Sequence, residues 1–135
     1  MKVFPDANFL IAAGLRPGGD TQRILIEIHD EFVTSEHLLS EVARNLQRLE
    51  RDPEPFIAAL RGLMTVMDQF DLLPVGLPLT GAGDRQALAE AIGSKCDSFI
   101  TSDTDFDALF GQHVKGVLIM KGSAYARQVL LAKPR

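Results

Sequence analysis

Apolar positions along this sequence switch between the period of a strand and the period of a helix. Residues 2–5 (Lys-Val-Phe-Pro) predict a central strand, and the apolar residues at 9–12 predict a turn or short helix after it. Gly14, Pro17, Gly18 and Gly19 then interrupt the chain. From Thr21, Ile24, Leu25 and Ile28 fall at helical spacing with Asp20 or Thr21 as N-cap, and 31–35 (Glu-Phe-Val-Thr-Ser) predicts a second strand. The next helix opens at Ser35 or Glu36. Its apolar stripe, Leu38, Val42, Leu46 and Leu49, runs until Pro53 and Pro55 break it, and Glu41 lies beside that stripe.

A helix over roughly 55–67 follows, with Phe56, Ala59, Leu60, Leu63 and Val66 on its core face. Residues 72–75 (Leu-Leu-Pro-Val) predict a short edge strand, because proline removes a ladder donor. The turn-rich segment 79–83 leads into a helix over 84–92, where Leu88, Ala91 and Ile92 share a face and Gly93 supplies the stop. Two further strands are predicted at 99–101 and 117–120, then Gly122 and a short helix from Ser123 toward Leu131. Strands alternating with helices predict a parallel sheet covered on both faces, an α/β architecture.

Composition adds limits to this picture. The 135 residues are 46% apolar, enough for one domain spanning 1–135 with a sizeable core and no linker. No apolar run approaches the roughly 20 residues that cross a bilayer, and the strand pattern begins too early to leave room for a leader, so the expected location is cytoplasmic. The lone Cys96 permits no internal disulfide and reads as a small buried residue between helix and strand. A net charge of −4 excludes a protein that coats nucleic acid through bulk charge, but it does not exclude a nuclease. Setting aside Asp6, Glu41, Asp84 and Asp103 leaves the remainder formally neutral.

Those four acids carry the chemistry. Asp6 ends the first strand, Glu41 lies in the second turn of a helix, Asp84 begins a helix, and Asp103 ends the strand after it. In an open α/β sheet all four places can overlook the crevice at the carboxyl ends of the strands, where ligands bind. Two carboxylates about 4 Å apart repel by roughly 4 kcal/mol at an effective dielectric of about 20, so four together call for a cation or for protons. Oxygen-only ligands suit Mg²⁺ or Mn²⁺, and the three histidines are too scattered for a zinc site. A metal-activated water attacking a phosphodiester is the chemistry that follows, and it requires no nucleophilic serine or cysteine.

Three segments carry a resemblance: Val3-Phe4-Pro5-Asp6-Ala7-Asn8, Thr34-Ser35-Glu36-His37-Leu38-Leu39-Ser40-Glu41-Val42, and Gly83-Asp84-Arg85 leading to Asp97-Ser98-Phe99-Ile100-Thr101-Ser102-Asp103-Thr104-Asp105-Phe106. In order and spacing they resemble the PIN-domain family of metal-dependent ribonucleases, which includes the VapC-like toxins of toxin-antitoxin pairs. The resemblance implies a three-layer α/β/α fold with a central, mainly parallel sheet. It also implies Mg²⁺ or Mn²⁺ held by Asp6, Glu41, Asp84 and Asp103, with endonucleolytic cleavage of RNA. On the same ground Asp6 is the central ligand, Asp103 lies opposite it, and Glu41 or Asp84 helps to deprotonate the attacking water. Asp105 is placed toward a second ion, Asn8 beside Asp6, and Thr101 or Ser102 as a hydroxyl donor to a carboxylate or phosphate. A small antitoxin is implied as partner.

Each residue also has a plainer reading. Asp is favoured at strand-end turns and helix N-caps, and Glu41 with Arg44 and Arg48 could form surface ion pairs. Arg44, Arg48 and Arg51 read as a solvated helix face, and His29, His37 and His113 as surface or boundary residues. Arg16, Arg85 and Lys121 are expected near the carboxyl edge, where they would meet phosphates. Apolar surface at Leu38-Leu39 and on the Phe56 to Val66 helix leads to an expected homodimer. Two other functions fit the same acids: a PIN-like module that only binds, and a Mg²⁺-dependent phospho-acceptor switch using Thr101 and Lys121. The switch needs an acidic pair at the end of the first strand, where this chain has only Asp6.

Overall fold

Why the chain forms a parallel sheet is visible in its first strand. In the computed structural model, which describes residues 1–68, 76–78 and 81–132, β1 (Lys2–Pro5) has Val3 and Phe4 completely buried, one toward each face. A strand buried on both faces must be central. It lies between β2 (Glu31–Thr34) and β4 (Ser98–Thr101), parallel to both, in the order β3-β2-β1-β4-β6-β5. Here β3 is Thr65–Val66, β5 is His113–Val114 and β6 is Val117–Lys121, and only β5 runs antiparallel.

The helices α1 (Ala7–Leu15), α2 (Asp20–Glu27), α3 (Glu36–Arg48), α4 (Glu54–Leu63), α5 (Ala82–Gly93) and α6 (Gly122–Ala132) flank this sheet as α/β/α layers. The reading at 9–12 grows into the nine-residue α1, because Asp6 caps its start and no breaker intervenes before Gly14. The helix expected over 55–67 stops at Leu63. Thr65 and Val66 instead pair with Val33 and Thr34, so the β-branched pair extends the sheet although its spacing continued the helical stripe. The strand expected at 72–75 lies outside the described residues. Beyond β4 a 3₁₀ helix (Thr104–Leu109) and a tight hairpin complete the sheet. The hairpin turns at Lys115 and Gly116, both at positive φ (48° and 88°), the pattern that matches strand twist.

The core follows the strand neighbours. Phe4 stacks on Phe99 with centroids 5.9 Å apart, and Phe99 packs on Phe106 at 5.2 Å, so a row of rings ties β1 and β4 to the 3₁₀ helix. Leu38 and Leu39 are buried within the chain, which corrects their assignment to a dimer surface; only the outer part of α4 remains for that role. Cys96 is buried, and burial pushes its thiol up to about 12, an inert structural residue. No helix among the described residues is long and apolar enough to cross a membrane.

One close approach locks α1 to α4. A Cβ added at Gly14 would lie 3.0 Å from Cε2 and 3.1 Å from Cδ2 of Phe56. Gly14→Ala gains helix propensity but overpacks the ring, so a net loss of about 1 kcal/mol is expected. Urea denaturation checks this, with Phe56→Leu expected to restore the loss.

Candidate functional site

The carboxyl ends of β1 and β4 meet at one point. Asp6 N–H donates to Ile100 O at 2.8 Å, continuing the ladder one residue past Pro5 and fixing the Asp6 side chain at the strand end. There its carboxylate accepts from Ala7 N–H at 2.8 Å, capping α1, and from the Thr101 hydroxyl at 2.8 Å. Thr101, wholly buried, also accepts from Asp103 N–H at 3.1 Å, so one hydroxyl joins the two strand-end acids. Asp6 is itself buried. Desolvation raises its pKa, Thr101 and Ala7 pull it down, and the charges of Glu41 and Asp103 push it up further.

On the other side of Asp103 the chain turns into the 3₁₀ helix. Asp103 caps it by accepting from Asp105 N–H at 2.9 Å, and Phe106, inserted in the core, holds the turn in place. Asp84 arrives from α5, whose N-cap is Gly81, so Asp84 stands in the first turn. Its carboxylate folds back over Gly81, where a Cβ would lie 3.0 Å from Oδ2. Carboxylate oxygens of Asp84, Asp103 and Asp105 all lie within 4.8 Å of one another. Burial first, then the charge of Asp103 and a hydrogen bond to Asp105, push Asp84 up to about 6. A bond between two carboxyls requires a proton on one of them, which is how a cation-free cluster relieves its repulsion. The donor set is all oxygen, of compact span and short of positive charge, and it fits a hard divalent cation.

Known structures share this arrangement of strands and helices. VapBC2 from Rickettsia felis, solved bound to a DNA fragment from the promoter, matches over 90% of this chain and 98% of its own, with a TM-score of 0.61 at 12% identity. VapC20 of Mycobacterium tuberculosis, a Sarcin-Ricin loop cleaving toxin, matches over 84% of this chain and 97% of its own, with a TM-score of 0.60 at 20% identity. The chain has the PIN-domain fold. No protein-family model matches its sequence, and no curated protein matches it significantly.

On this PIN fold the expected residues separate into groups. Asp84, Asp103 and Asp105 form the compact triangle. Asp6 is joined to it through Thr101, and Glu41, on α3, is close enough for its charge to act on Asp6 but stands outside the triangle. Of the two hydroxyls, Thr101 donates to the carboxylate, whereas exposed Ser102 sits against Gly122, its Oγ 2.9 Å from where a Cβ would be. Asn8 is exposed on α1. Arg85 follows Asp84, and Lys121 pairs in register with Thr101, so both lie at the edge. Arg16 does not: nine helical residues carry it about 14 Å along α1 from Asp6, a correction caused by the length of that helix.

Sequence reasoning missed Glu90. It lies on α5 with 3% exposure, accepts from the Ser35 hydroxyl at 2.8 Å, and has its pKa raised by burial. The sequence carried no signal for it: Gln86, one turn earlier on the same face of α5, makes Glu90 read as part of a solvated polar stripe.

Proposed function

We propose that the protein is a Mg²⁺- or Mn²⁺-dependent endoribonuclease that hydrolyses RNA phosphodiester bonds, acting as the toxin of a toxin-antitoxin pair. The observation that carries this reading is the meeting of Asp84, Asp103 and Asp105 within 4.8 Å, beside Asp6, at the carboxyl edge of a PIN-type sheet. The likeness to a Sarcin-Ricin loop cleaving toxin and to a VapBC structure supports RNA as substrate and a small antitoxin as partner.

Asp6, Asp84, Asp103 and Asp105 would hold the cation, with Glu41 completing the set from α3. When bound, a divalent cation lowers the pKa of a coordinated water and neutralises charge on the phosphate. The chain's own residues do the rest. Thr101 keeps the Asp6 carboxylate turned toward the cluster and ties it to Asp103. Glu41 or Asp84 would take the proton from the attacking water. Arg85 and Lys121, exposed at the same edge, are placed to meet phosphates flanking the scissile bond.

The test is cleavage of a mixed single-stranded RNA pool with Mn²⁺, Mg²⁺ or EDTA. Cutting is expected with either metal, is expected to stop in EDTA, and is expected to be lost in Asp103→Asn prepared identically. Cutting that survives EDTA or Asp103→Asn would sink the reading. Stoichiometric beryllofluoride uptake without cleavage would favour the phospho-acceptor switch instead.

A further inference from the structure

Two helices bring acids to the edge from opposite sides of the chain order, α3 with Glu41 and α5 with Asp84, and a buried polar contact joins them. Ser35 caps α3, its Oγ accepting from Leu38 N–H at 3.0 Å while donating to Glu90 Oε1 at 2.8 Å. Both residues are almost wholly buried. His37, one turn before Glu41 on the same face of α3, turns Nδ1 inward to 4.0 Å from the same Glu90 oxygen, beyond hydrogen-bond reach and with no other partner among the described residues. Gln86, one turn before Glu90 on α5, supplies a further hydrogen bond to the carboxylate.

A buried carboxylate is costly, and replacing such a polar contact as a whole by well-packed apolar residues is commonly neutral or stabilising. The Ser35–Glu90 contact is therefore poorly explained by stability. What it does geometrically is fix the start of α3 against the last turn of α5, and with it the separation between Glu41 and Asp84. We propose that Glu90 is a positioning residue for the acid cluster: acting through Ser35, it sets the spacing of the two helices and so the affinity of the cluster for its divalent cation. The inference rests on the metal-dependent reading above and extends it to a residue that touches neither cation nor RNA. Groups that hydrogen-bond directly to metal ligands are worth about ten- to a hundredfold in affinity, and Glu90, which acts through the helix that carries Glu41, is expected at the lower end of that range.

The experiment is calorimetric titration of Mn²⁺ into the full chain, with thermal melts of each variant in EDTA. Glu90→Leu is expected to bind Mn²⁺ at least about tenfold more weakly while melting no lower than wild type, a combination that a merely structural role does not produce. Glu90→Gln, which keeps an acceptor for Ser35, is expected to bind within about threefold of wild type. Ser35→Ala removes the same bond from the other helix together with the α3 cap, and is expected to weaken binding at least as much as Glu90→Leu does; should Glu90→Leu not fold, wild-type affinity in Ser35→Ala decides against the inference. Wild-type affinity in Glu90→Leu or in Ser35→Ala overturns the inference, as does a Glu90→Gln protein no better than Glu90→Leu. If wild type itself takes up no Mn²⁺, the metal-dependent reading fails, and the inference with it.

Discussion

Asp6→Asn is expected to lower metal-dependent RNA cleavage by about a thousandfold or more while leaving the protein folded. Two properties of the site separate these effects. Asn is about as good an N-cap as Asp, so α1 keeps an acceptor for Ala7 N–H and its start is preserved. The carboxylate that is lost was raised in pKa by burial and by the charges of Glu41 and Asp103, so the neutral amide removes repulsion from the cation-free fold. What the amide cannot do is supply negative charge to a divalent ion. Single-turnover cleavage with Mn²⁺, alongside a circular-dichroism melt, reads both quantities. A variant that melts like wild type and still cuts at the wild-type rate would remove Asp6 from the machinery.

Divalent cation is expected to raise the melting temperature, and to raise it more at pH 7.5 than at pH 5. Asp84 sits at about 6 in the fold against about 3.9 in an unfolded chain. Between those values the cation-free folded state holds more protons than the unfolded state, so stability falls as pH rises through the window and the loss is complete above it. Asp6 and Glu90 are shifted in the same direction and steepen the fall. A bound cation takes the place of those protons. At a free concentration of about one hundred times Kd the linkage is about 2.7 kcal/mol, or roughly 10 °C for a chain of this size. Melts in EDTA and in Mn²⁺ at the two pH values test this. A melting temperature indifferent to both would mean that the carboxylates do not act as one cluster.

Much of the site was legible because its residues occupy places that sequence marks well. A short apolar run ending in Asp identifies a strand and its end together, and both Asp6 and Asp103 were found that way; the hydroxyl between them, Thr101, was found only as one of two choices. Asp84 was placed at the start of a helix, yet nothing in Gly81-Ala82-Gly83 said that the helix begins at Ala82 and that the carboxylate folds back over Gly81. The fold's main misreading, at Thr65 and Val66, came from periodicity: Val66 stands three residues after Leu63 and continues the stripe, and only tertiary pairing with β2 decides against a helix there. Glu90 escaped for a different reason. A charged residue within a helix is ordinarily assigned to solvent, and its burial depends on what packs over residues 87–91 of α5, which is a property of the neighbours.

The bond between Thr101 and Asp6 spans 95 residues of chain. A growing polypeptide that has emerged as far as α5 carries Asp6, Glu41 and Asp84, but it lacks the strand that turns Asp6 into position and the acid that faces it. Closing so long a loop is slow, and it must precede every contact across the β1–β4 seam. Whatever chemistry the edge performs is therefore withheld from every unfinished copy on the ribosome, and it arrives all at once when the central seam of the sheet closes.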